Sequence, residues 1–398
     1  MSLSSPLDVI VAGHMCLDML PNFIHSTPKK IPDLLKPGTL VKIGAMTVAS
    51  GGAVSNVGIA LEKFGQNVGF VAKVGGDSLG TTLIDIVKKH GNCDGIAISK
   101  GENSSYTVII SPPGVDRIFL HNPGTNDTFT SEDIDFSIVD GAKLFHFGYP
   151  TLMKKMFDDG GDELALLFKK AKERGVITSL DISLPDPDSD SGRANWRSIY
   201  KKVLPFVDVF VPSIEEALFT LHPEEYLKSK SEHNGEELID FISPSEYSAL
   251  SEEFLSLGCR IITLKSGHNG WYIRTGSKNS FVNNGSIALQ KLDSWAEKEL
   301  WCPAFKVDRI ASATGSGDCS IAAFLTSMIK GYTLEKALKF ANCAGSMNLS
   351  AMDATSGLVS WAEMESSLST LKTRDIIPLH NTNWTFENSW GGWRKADV

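Results

Sequence analysis

Short apolar runs alternate along most of the chain with segments that have the pattern of helices. The first run, residues 7–13, ends at a glycine and predicts a buried strand. Strands and helices in alternation pack as a parallel sheet with helices on its faces, joined by right-handed crossovers. We therefore expect an α/β fold with a central, mostly parallel sheet flanked by helices. The pattern predicts further strands at 68–74, 96–98, 144–147, 176–181, 207–211 and 260–264, and helices at 53–64, 79–90, 163–174, 194–204, 215–221, 244–257, 319–329 and 334–352.

Two segments interrupt this alternation. Residues 21–38 are rich in Pro, Lys, Asn and Thr, and the stretch that follows them fits neither a helix nor a strand period. Further on, the β-rich runs 107–110 and 117–120 are joined by a segment with two prolines and a glycine, which predicts a hairpin without a helix. We expect segments 21–45 and 106–122 to form a small β lid beside the main body.

These patterns divide the chain into three parts. The α/β core would consist of residues 7–20, 46–105 and 123–372, and a Trp-rich tail of residues 373–398 would follow it. The tail carries Trp384, Trp390 and Trp393 among polar residues. Packing against the chain's own body and contact with a second subunit are both open interpretations of these tryptophans. Residues 223–242 have the pattern of an insertion.

Composition excludes several classes of protein. The 398 residues include 42% apolar and 21% charged residues, and no apolar stretch approaches the ~20 residues that a membrane helix needs. The net charge of −9 disfavours binding to nucleic acid or to anionic lipid. Six cysteines without a C-x-x-C pair, after a start that lacks a signal peptide pattern, predict a cytoplasmic protein without disulfides or structural zinc.

Residues 313–318, Ala-Thr-Gly-Ser-Gly-Asp, precede the apolar run 321–325. Their small side chains let the backbone turn sharply, so that several N–H groups and the positive end of a helix meet at one point and attract an anion. Asp318 would repel a phosphate there unless its carboxylate takes a proton close to a transferring phosphoryl group. Helix capping is the other interpretation of this acid.

Polar residues near the start of the chain suggest a second binding element. Gly51 and Gly52 allow close approach of a ligand, and Asn56 offers both donors and an acceptor, as a polyhydroxylated ligand requires. Asp18 follows the first strand and would lie at the carboxyl edge of the sheet, where open α/β proteins bind ligands. Taken singly, Asn56 also suits a hydrogen bonder at a helix start, and Asp18 suits a turn acid.

With these residues, the chain resembles the ribokinase-like (PfkB) family of carbohydrate kinases from about Asp8 to Leu371. The first family motif is matched by Gly51, Gly52 and Asn56, with residues 64–65 and 74–80 after them. The second is matched by residues 314–318, followed by Gly331, Ala337, residues 341–342 and Gly357. Two separate motifs in the right order make the resemblance specific.

The resemblance implies a kinase that transfers the γ-phosphoryl group of ATP, as its magnesium complex, to a hydroxyl of a sugar or sugar-like alcohol. Asp318 would be the general base, and the backbone of Gly315, Ser316 and Gly317 would form the anion hole. Asp18, Gly51, Gly52 and Asn56 would hold the hydroxyls of the acceptor. A β lid in such kinases closes over the sugar and excludes water, and a homodimer formed through the lid is left open.

The nucleotide side follows from the resemblance alone. Residues 263–270 look like the family's glycine loop for the phosphates and ribose, and magnesium would be handled through water. No Walker G-x-x-x-x-G-K-[ST] and no G-x-G-x-x-G opening a βαβ unit is present, which argues against P-loop kinases and dehydrogenases. The implied nucleotide residues are Thr263, Lys265, Gly267, Gly270 and Asn342, with Glu216 for magnesium.

Three departures from the family pattern affect the details. Ser213 replaces the Asn of an Asn-x-x-Glu motif that ends here at Glu216, and Ser312 stands where an Asp commonly supports a monovalent cation, which argues against potassium activation. Cys16 and Ala53 replace an Asn and a Lys of ribokinase, so ribose specificity is not implied.

Three alternatives remain open from the sequence. They are a nucleoside kinase of the same fold, a binding protein for sugar or nucleotide without turnover, and an interaction protein assembled through the tail.

Overall fold

A large β-sheet crosses the molecule, and a smaller sheet lies beside it. The computed structural model describes residues 6–23, 36–112, 118–282, 295–376, 379–380 and 382–396. In chain order, the strands of the large sheet are β1 (Val9–Gly13), β4 (Val68–Gly75), β5 (Asn92–Ser99), β8 (Leu144–Gly148), β9 (Ile177–Asp181), β10 (Val209–Phe210), β11 (Ile261–Lys265), β12 (Trp271–Thr275), β13 (Glu299–Cys302), β14 (Trp384–Glu387) and β15 (Gly392–Lys395).

The strands in the middle of the large sheet are parallel. Their spatial order is β14-β15-β13-β12-β11-β10-β9-β8-β1-β4-β5. All neighbours from β11 to β5 pair in parallel, whereas the pairs from β11 to β14 are antiparallel. Each of the five residues of β1 is buried, as expected for a central strand covered on both faces. The predicted α/β class is confirmed.

Helices cover both faces of the large sheet and enclose two hydrophobic cores. One core contains side chains of the helices that follow Gly52 and Gly315, and the other lies on the opposite face. No helix among the described residues is long and apolar enough to cross a bilayer. The described α-helices are α1 (Ala53–Lys63), α2 (Ser78–Val87), α3 (Lys154–Phe157), α4 (Asp162–Glu173), α5 (Trp196–Val203), α6 (Ile214–Leu221), α7 (Pro223–Glu232), α8 (Pro244–Leu257), α9 (Lys278–Val282), α10 (Ser316–Ile329), α11 (Leu334–Asn348) and α12 (Trp361–Ser367).

The predicted helix ends agree with the structure where a capping motif marks them and are shifted elsewhere. The spacing of Ser243 and Glu246 predicts a capping box with Pro244 at the first helical position, and α8 begins in this way. The helix predicted at 334–352 ends four residues early, at Asn348. The helix predicted at 319–329 begins three residues early, at Ser316, so Asp318 lies in its first turn rather than before it.

The small sheet has four strands, Cys16–Pro21 (β2), Met46–Gly51 (β3), Tyr106–Ile110 (β6) and Ile118–Asn122 (β7). Their spatial order is β3-β2-β6-β7, and β2 and β3 pair antiparallel. Strands β6 and β7 pair as the predicted antiparallel hairpin, and residues 113–117 between them lie outside the described residues.

These strands correct the lid boundaries drawn from the sequence. The first of the two lid segments was expected at residues 21–45, of which 24–35 lie outside the described residues. Apart from Pro21, β2 and β3 belong to ranges that were assigned to the core. Only His14 and Met15 separate β1 of the large sheet from β2 of the small sheet. Apart from Gly13, whose φ is +117°, no turn residue marks the point at which the chain passes from one sheet to the other.

The C-terminal segment extends the large sheet. Strand β15 pairs with β13 and carries β14 as a hairpin, so residues 384–395 belong to the sheet rather than to a separate tail. Trp384, Trp390 and Trp393 are each less than 10% exposed, which agrees with packing against the chain's own body. Lys395 lies 3.1 Å from the carboxylate of buried Glu299. The antiparallel strands β12 to β15 were not predicted.

Candidate active site

Strand register lines up several residues at the carboxyl edge of the large sheet. Gly13 pairs with Gly148 and Gly148 with Asp181, each at the last position of its strand. Ser213, just before α6, bridges to Lys265 at the end of β11. Strands that end together leave a crevice at that edge, where open α/β sheets bind ligands.

The turn before α10 supplies backbone amides to this edge. Gly315 has φ +71°, and a Cβ atom there would lie 2.3 Å from the carbonyl oxygen of Ala354, so only glycine fits. The Ser316 amide donates to the carbonyl of Ala313. Within the described part of the chain, the amides of Gly317 and Asp318 have no backbone acceptor. Together with the helix dipole, these amides suit an anion.

Asp318 is buried beside these amides. Its side chain is 3% exposed and accepts hydrogen bonds from Asn56 Nδ2 at 2.9 Å and from the Tyr149 hydroxyl at 2.7 Å. Burial raises the pKa of Asp318 above its ordinary value, although the two hydrogen bonds and the charge of Lys265 oppose the rise. The result is an oriented carboxylate with increased affinity for a proton.

Tyr149 owes its position to an unusual backbone conformation. It directly follows β8 and has φ 62°, a left-handed value that is uncommon for a residue other than glycine. Burial and the neighbouring Asp318 raise the pKa of its hydroxyl, which therefore stays protonated and donates to Asp318. The sequence alone allows this residue either to line the pocket or simply to pack.

Asp18 lies on β2, next to the paired glycines. A Cβ atom at Gly51 would lie 2.2 Å from Asp18 Oδ2, and one at Gly52 would lie 2.6 Å from His14 Nδ1. The two glycines therefore make room for these side chains. Burial raises the pKa of Asp18 to about 6, and the hydrogen bond from Cys16 opposes the rise. Asp18 and Asn56 were both predicted to hold acceptor hydroxyls, and Asn56 also donates a hydrogen bond to Asp318.

Lys265 lies between two acidic groups at the sheet edge. Its ammonium group lies 2.6 Å from Asp181 Oδ1 and 3.9 Å from Glu216 Oε2. A side chain at Gly317 would contact the Lys265 stem at 3.8 Å, which places the lysine beside the α10 turn. Burial alone would lower the pKa of Lys265, but Asp181 and Glu216 raise it overall. The lysine therefore carries its full charge.

Asp181 was not predicted as a site residue. It is 1% exposed, and burial raises its pKa above the ordinary value, with Lys265 opposing the rise and Glu216 adding to it. The signal was present in the sequence, because an acid at the last position of a buried strand lies at the carboxyl edge of a parallel sheet.

Glu216 already has a structural role. Its carboxylate accepts the backbone N–H of Ser213 at 2.6 Å and completes the capping box of α6. Burial raises its pKa, and the charge of Lys265 and the hydrogen bonds from Ser213 oppose the rise. The same carboxylate thus caps a helix and lies in the charged cluster around Lys265.

The other residues predicted for the nucleotide side mostly contact the backbone of the protein or lie buried within a strand. Thr263 is fully buried within β11, and Asn342 Nδ2 donates to the carbonyls of Cys302 and Leu338. A Cβ atom at Gly270 would lie 2.1 Å from the Cys302 carbonyl oxygen, and Gly267 has φ +46°. Of this set, only Lys265 contacts the acidic cluster.

Comparisons with known proteins agree on one family. A model described as the pfkB family of carbohydrate kinases matches residues 15–361. Fructokinase-2 of Oryza sativa subsp. japonica is 25% identical over 357 residues, which cover 86% of this chain and 88% of the rice protein.

Solved structures show the same fold. Ribokinase of Arabidopsis thaliana, complexed with ribose and ATP, matches with a TM-score of 0.67 and 17% identity, over 91% of this chain and 99% of that chain. A fructokinase with bound ATP from Xylella fastidiosa matches with a TM-score of 0.65 and 18% identity, over 91% and 98% of the two chains. The fold is therefore ribokinase-like.

Replacing Gly51 by alanine should destabilise the protein through a clash with Asp18. We expect a loss of about 1–3 kcal/mol in the free energy of unfolding, measured by chemical denaturation. Gly76→Ala is the matched control, because a Cβ atom there would meet its nearest neighbour at an ordinary 3.6 Å. Adding Asp18→Ala to Gly51→Ala should recover part of the loss. A Gly51→Ala protein as stable as Gly76→Ala would contradict the close packing of Asp18 against Gly51.

Proposed function

Since the chain belongs to the pfkB family of carbohydrate kinases, as its two motifs predict, we propose that Asp318 is the base with which it phosphorylates a sugar. The chain is a phosphotransferase whose acceptor is an alcohol group. The observation that carries the assignment of the base is the start of α10, where a buried carboxylate lies in the same turn as two amides without backbone acceptors among the described residues.

Asp318 would act on the acceptor hydroxyl. Its raised pKa makes it a better proton acceptor than an ordinary aspartate, and Asn56 and Tyr149 fix its orientation. As the acceptor oxygen bonds to the γ-phosphorus, the bond from that phosphorus to the β,γ-bridging oxygen breaks. The hydroxyl proton passes to Asp318, and ADP leaves with the electron pair of the broken bond.

The transferring phosphoryl group would lie against the α10 turn. The backbone of Gly315, Ser316 and Gly317 would form the walls of the anion hole, and Lys265 beside Gly317 would add a positive charge. The donors would be the Gly317 and Asp318 amides, because the Ser316 amide already donates to Ala313. Asp181 holds Lys265 at 2.6 Å, so the lysine is in place before substrate arrives.

The carboxylates around Lys265 fit a magnesium complex of ATP. Magnesium prefers oxygen ligands and usually keeps several waters, which suits Asp181 and Glu216 as groups that hold those waters. The ion would neutralise charge on the phosphates. On the nucleotide side we also propose Thr263, Gly267, Gly270 and Asn342, as the family resemblance implies. The proposal includes no monovalent cation, because Ser312 offers a hydroxyl in place of a carboxylate.

The acceptor would lie between the two sheets. Asp18 on β2 and the backbone of Gly51 and Gly52 would hold its hydroxyls, with Asn56 at the junction to Asp318. The rice relative is named a fructokinase, so fructose is the first acceptor that we propose. A nucleoside acceptor is the alternative within the same chemistry.

We propose the cytoplasm as the site of action. All six cysteines are free thiols, and five of them are buried. This usage is typical of a reducing compartment.

An acceptor screen with Asp318→Asn tests the proposed reaction. ADP release should appear with one or a few acceptors among ketoses, aldoses, polyols, sugar acids and nucleosides, in the presence of magnesium and ATP. Asp318→Asn should lower kcat about 10²–10⁴-fold, because the base is lost, and leave acceptor binding by calorimetry near normal. The control is Asp308→Asn at an exposed position. Unchanged turnover would end the assignment of the base, and ADP release with nucleosides alone would favour a nucleoside kinase.

Tyr149→Phe should move the acidic limb of the pH–rate profile to higher pH. The Tyr149 hydrogen bond lowers the pKa of Asp318, so its loss raises that pKa further and delays formation of the ionised base. The profile of kcat against pH measures this shift. Tyr226→Phe, which alters a tyrosine that packs on Phe219, should leave the limb in place. A limb that stays fixed or moves to lower pH in Tyr149→Phe would contradict the proposal.

The edges of the small sheet support a homodimer formed through the lid. Its edge strands β3 and β7 expose apolar side chains that a partner would cover, namely Met46, Val48, Ile118, Phe119 and Leu120. Sedimentation should give twice the chain mass, and replacing Phe119 and Leu120 together by serine should give single chains. Ile310→Ser, at an exposed position outside this sheet, should keep the dimer. A wild-type protein that sediments as a single chain would refute this arrangement.

A further inference from the structure

We propose that His14, Cys16 and His121 form a binding site for a divalent transition metal, such as Zn²⁺, between the core and the lid. One ligand atom from each of the three residues lies within 4.8 Å of the other two. His14 and Cys16 are 2% and 4% exposed. His14 lies between β1 and β2, Cys16 is the first residue of β2, and His121 is on the hairpin strand β7.

The spacing of the two imidazoles suits a metal. His14 Nε2 lies 3.5 Å from His121 Nε2. Two nitrogens bound to zinc at ~2.0–2.1 Å in tetrahedral geometry are separated by about 3.4 Å. Metals bind the neutral form of imidazole, through a ring nitrogen that carries no proton.

Thr107 orients the ligands from behind. Its hydroxyl lies 3.0 Å from His121 Nδ1 and donates to Cys16 Sγ at 3.6 Å. A hydroxyl that donates to sulfur accepts the Nδ1–H of His121, which leaves Nε2 with a free lone pair. Hydrogen bonds of this kind fix the tautomer of metal-binding histidines. His14 Nδ1 is buried and has no partner among the described residues.

Charge at the site favours a dication. Asp18 Oδ1 lies 3.4 Å from Cys16 Sγ. A cysteine binds a metal as its thiolate, so binding replaces the S–H bond of Cys16 by a metal–sulfur bond and releases one proton to solvent. A thiolate, the Asp18 carboxylate and a dication together have no net charge.

The position of the site suggests a role in inhibition, and this part rests on the proposed function. Cys16 and Asp18 are two residues apart on β2 and therefore lie on the same face of the strand. A metal held by Cys16 would occupy the wall of the pocket in which Asp18 is proposed to bind the acceptor. Metal and acceptor should then compete.

Titration of the metal-free protein with Co²⁺ tests the site directly. Cobalt bound to a thiolate gives a charge-transfer absorption band that we expect at one equivalent, and Zn²⁺ should displace it. Cys16→Ser should abolish the band, and His121→Asn should weaken cobalt binding by at least about tenfold. Cys93→Ser and His222→Asn, which change residues outside the cluster, should bind as the wild type does.

Two outcomes would overturn the proposal. The first is the absence of a charge-transfer band, and the second is a band of equal strength in Cys16→Ser, provided that thermal melting shows both proteins folded. Neither readout depends on catalysis, so the site is tested even if the proposed reaction is wrong. An acceptor that weakens cobalt binding supports both proposals. A band that persists at saturating acceptor supports the metal site and contradicts only the proposed competition between metal and acceptor.

Discussion

One lysine offsets the charge of the carboxylates at the centre of the molecule. Lys265 contacts Asp181, lies near Glu216, and opposes the rise in the pKa of Asp318 that burial causes. A buried charge costs several kcal/mol unless an opposite charge is close. The fold can therefore keep several acids in the crevice because β11 ends there and places Lys265, its last residue, beside them. That position follows from the register of β9, β10 and β11 in the parallel part of the sheet.

The parallel half of the fold follows from the sequence because its signals are local. Continuous apolar runs mark strands buried on both faces, and capping residues mark helix starts such as that of α8. The antiparallel half lacks such signals. Strand β13 pairs with β15, about ninety residues later, and no pattern within either segment identifies its partner. Strands β2 and β3 of the small sheet were assigned to the core, apart from Pro21, for the same reason, since β2 pairs with β3 and β6 rather than with the strand that precedes it.

The candidate site was predictable to the extent that motifs mark it. The α10 turn and the paired glycines stand out because consecutive small residues let the backbone turn sharply and approach a ligand closely. The contact between these two motifs cannot be predicted from the sequence, because Asn56 and Asp318 are 262 positions apart. Tyr149 reaches Asp318 because its backbone is left-handed, and no residue type in that segment predicts this conformation. His14, Cys16 and His121 were also missed, because ligands brought together from two elements have no common spacing.

Glu216 illustrates how one atom can serve two parts of the molecule. Its Oε2 atom receives the Ser213 amide that caps α6, and the same oxygen lies 3.9 Å from Lys265. Truncation of this side chain would loosen the helix and alter the electrostatic field of the crevice together. Glutamine would preserve an oxygen for the amide while deleting the negative charge. Isosteric replacement is thus the way to separate the scaffolding contribution of this position from its ionic one.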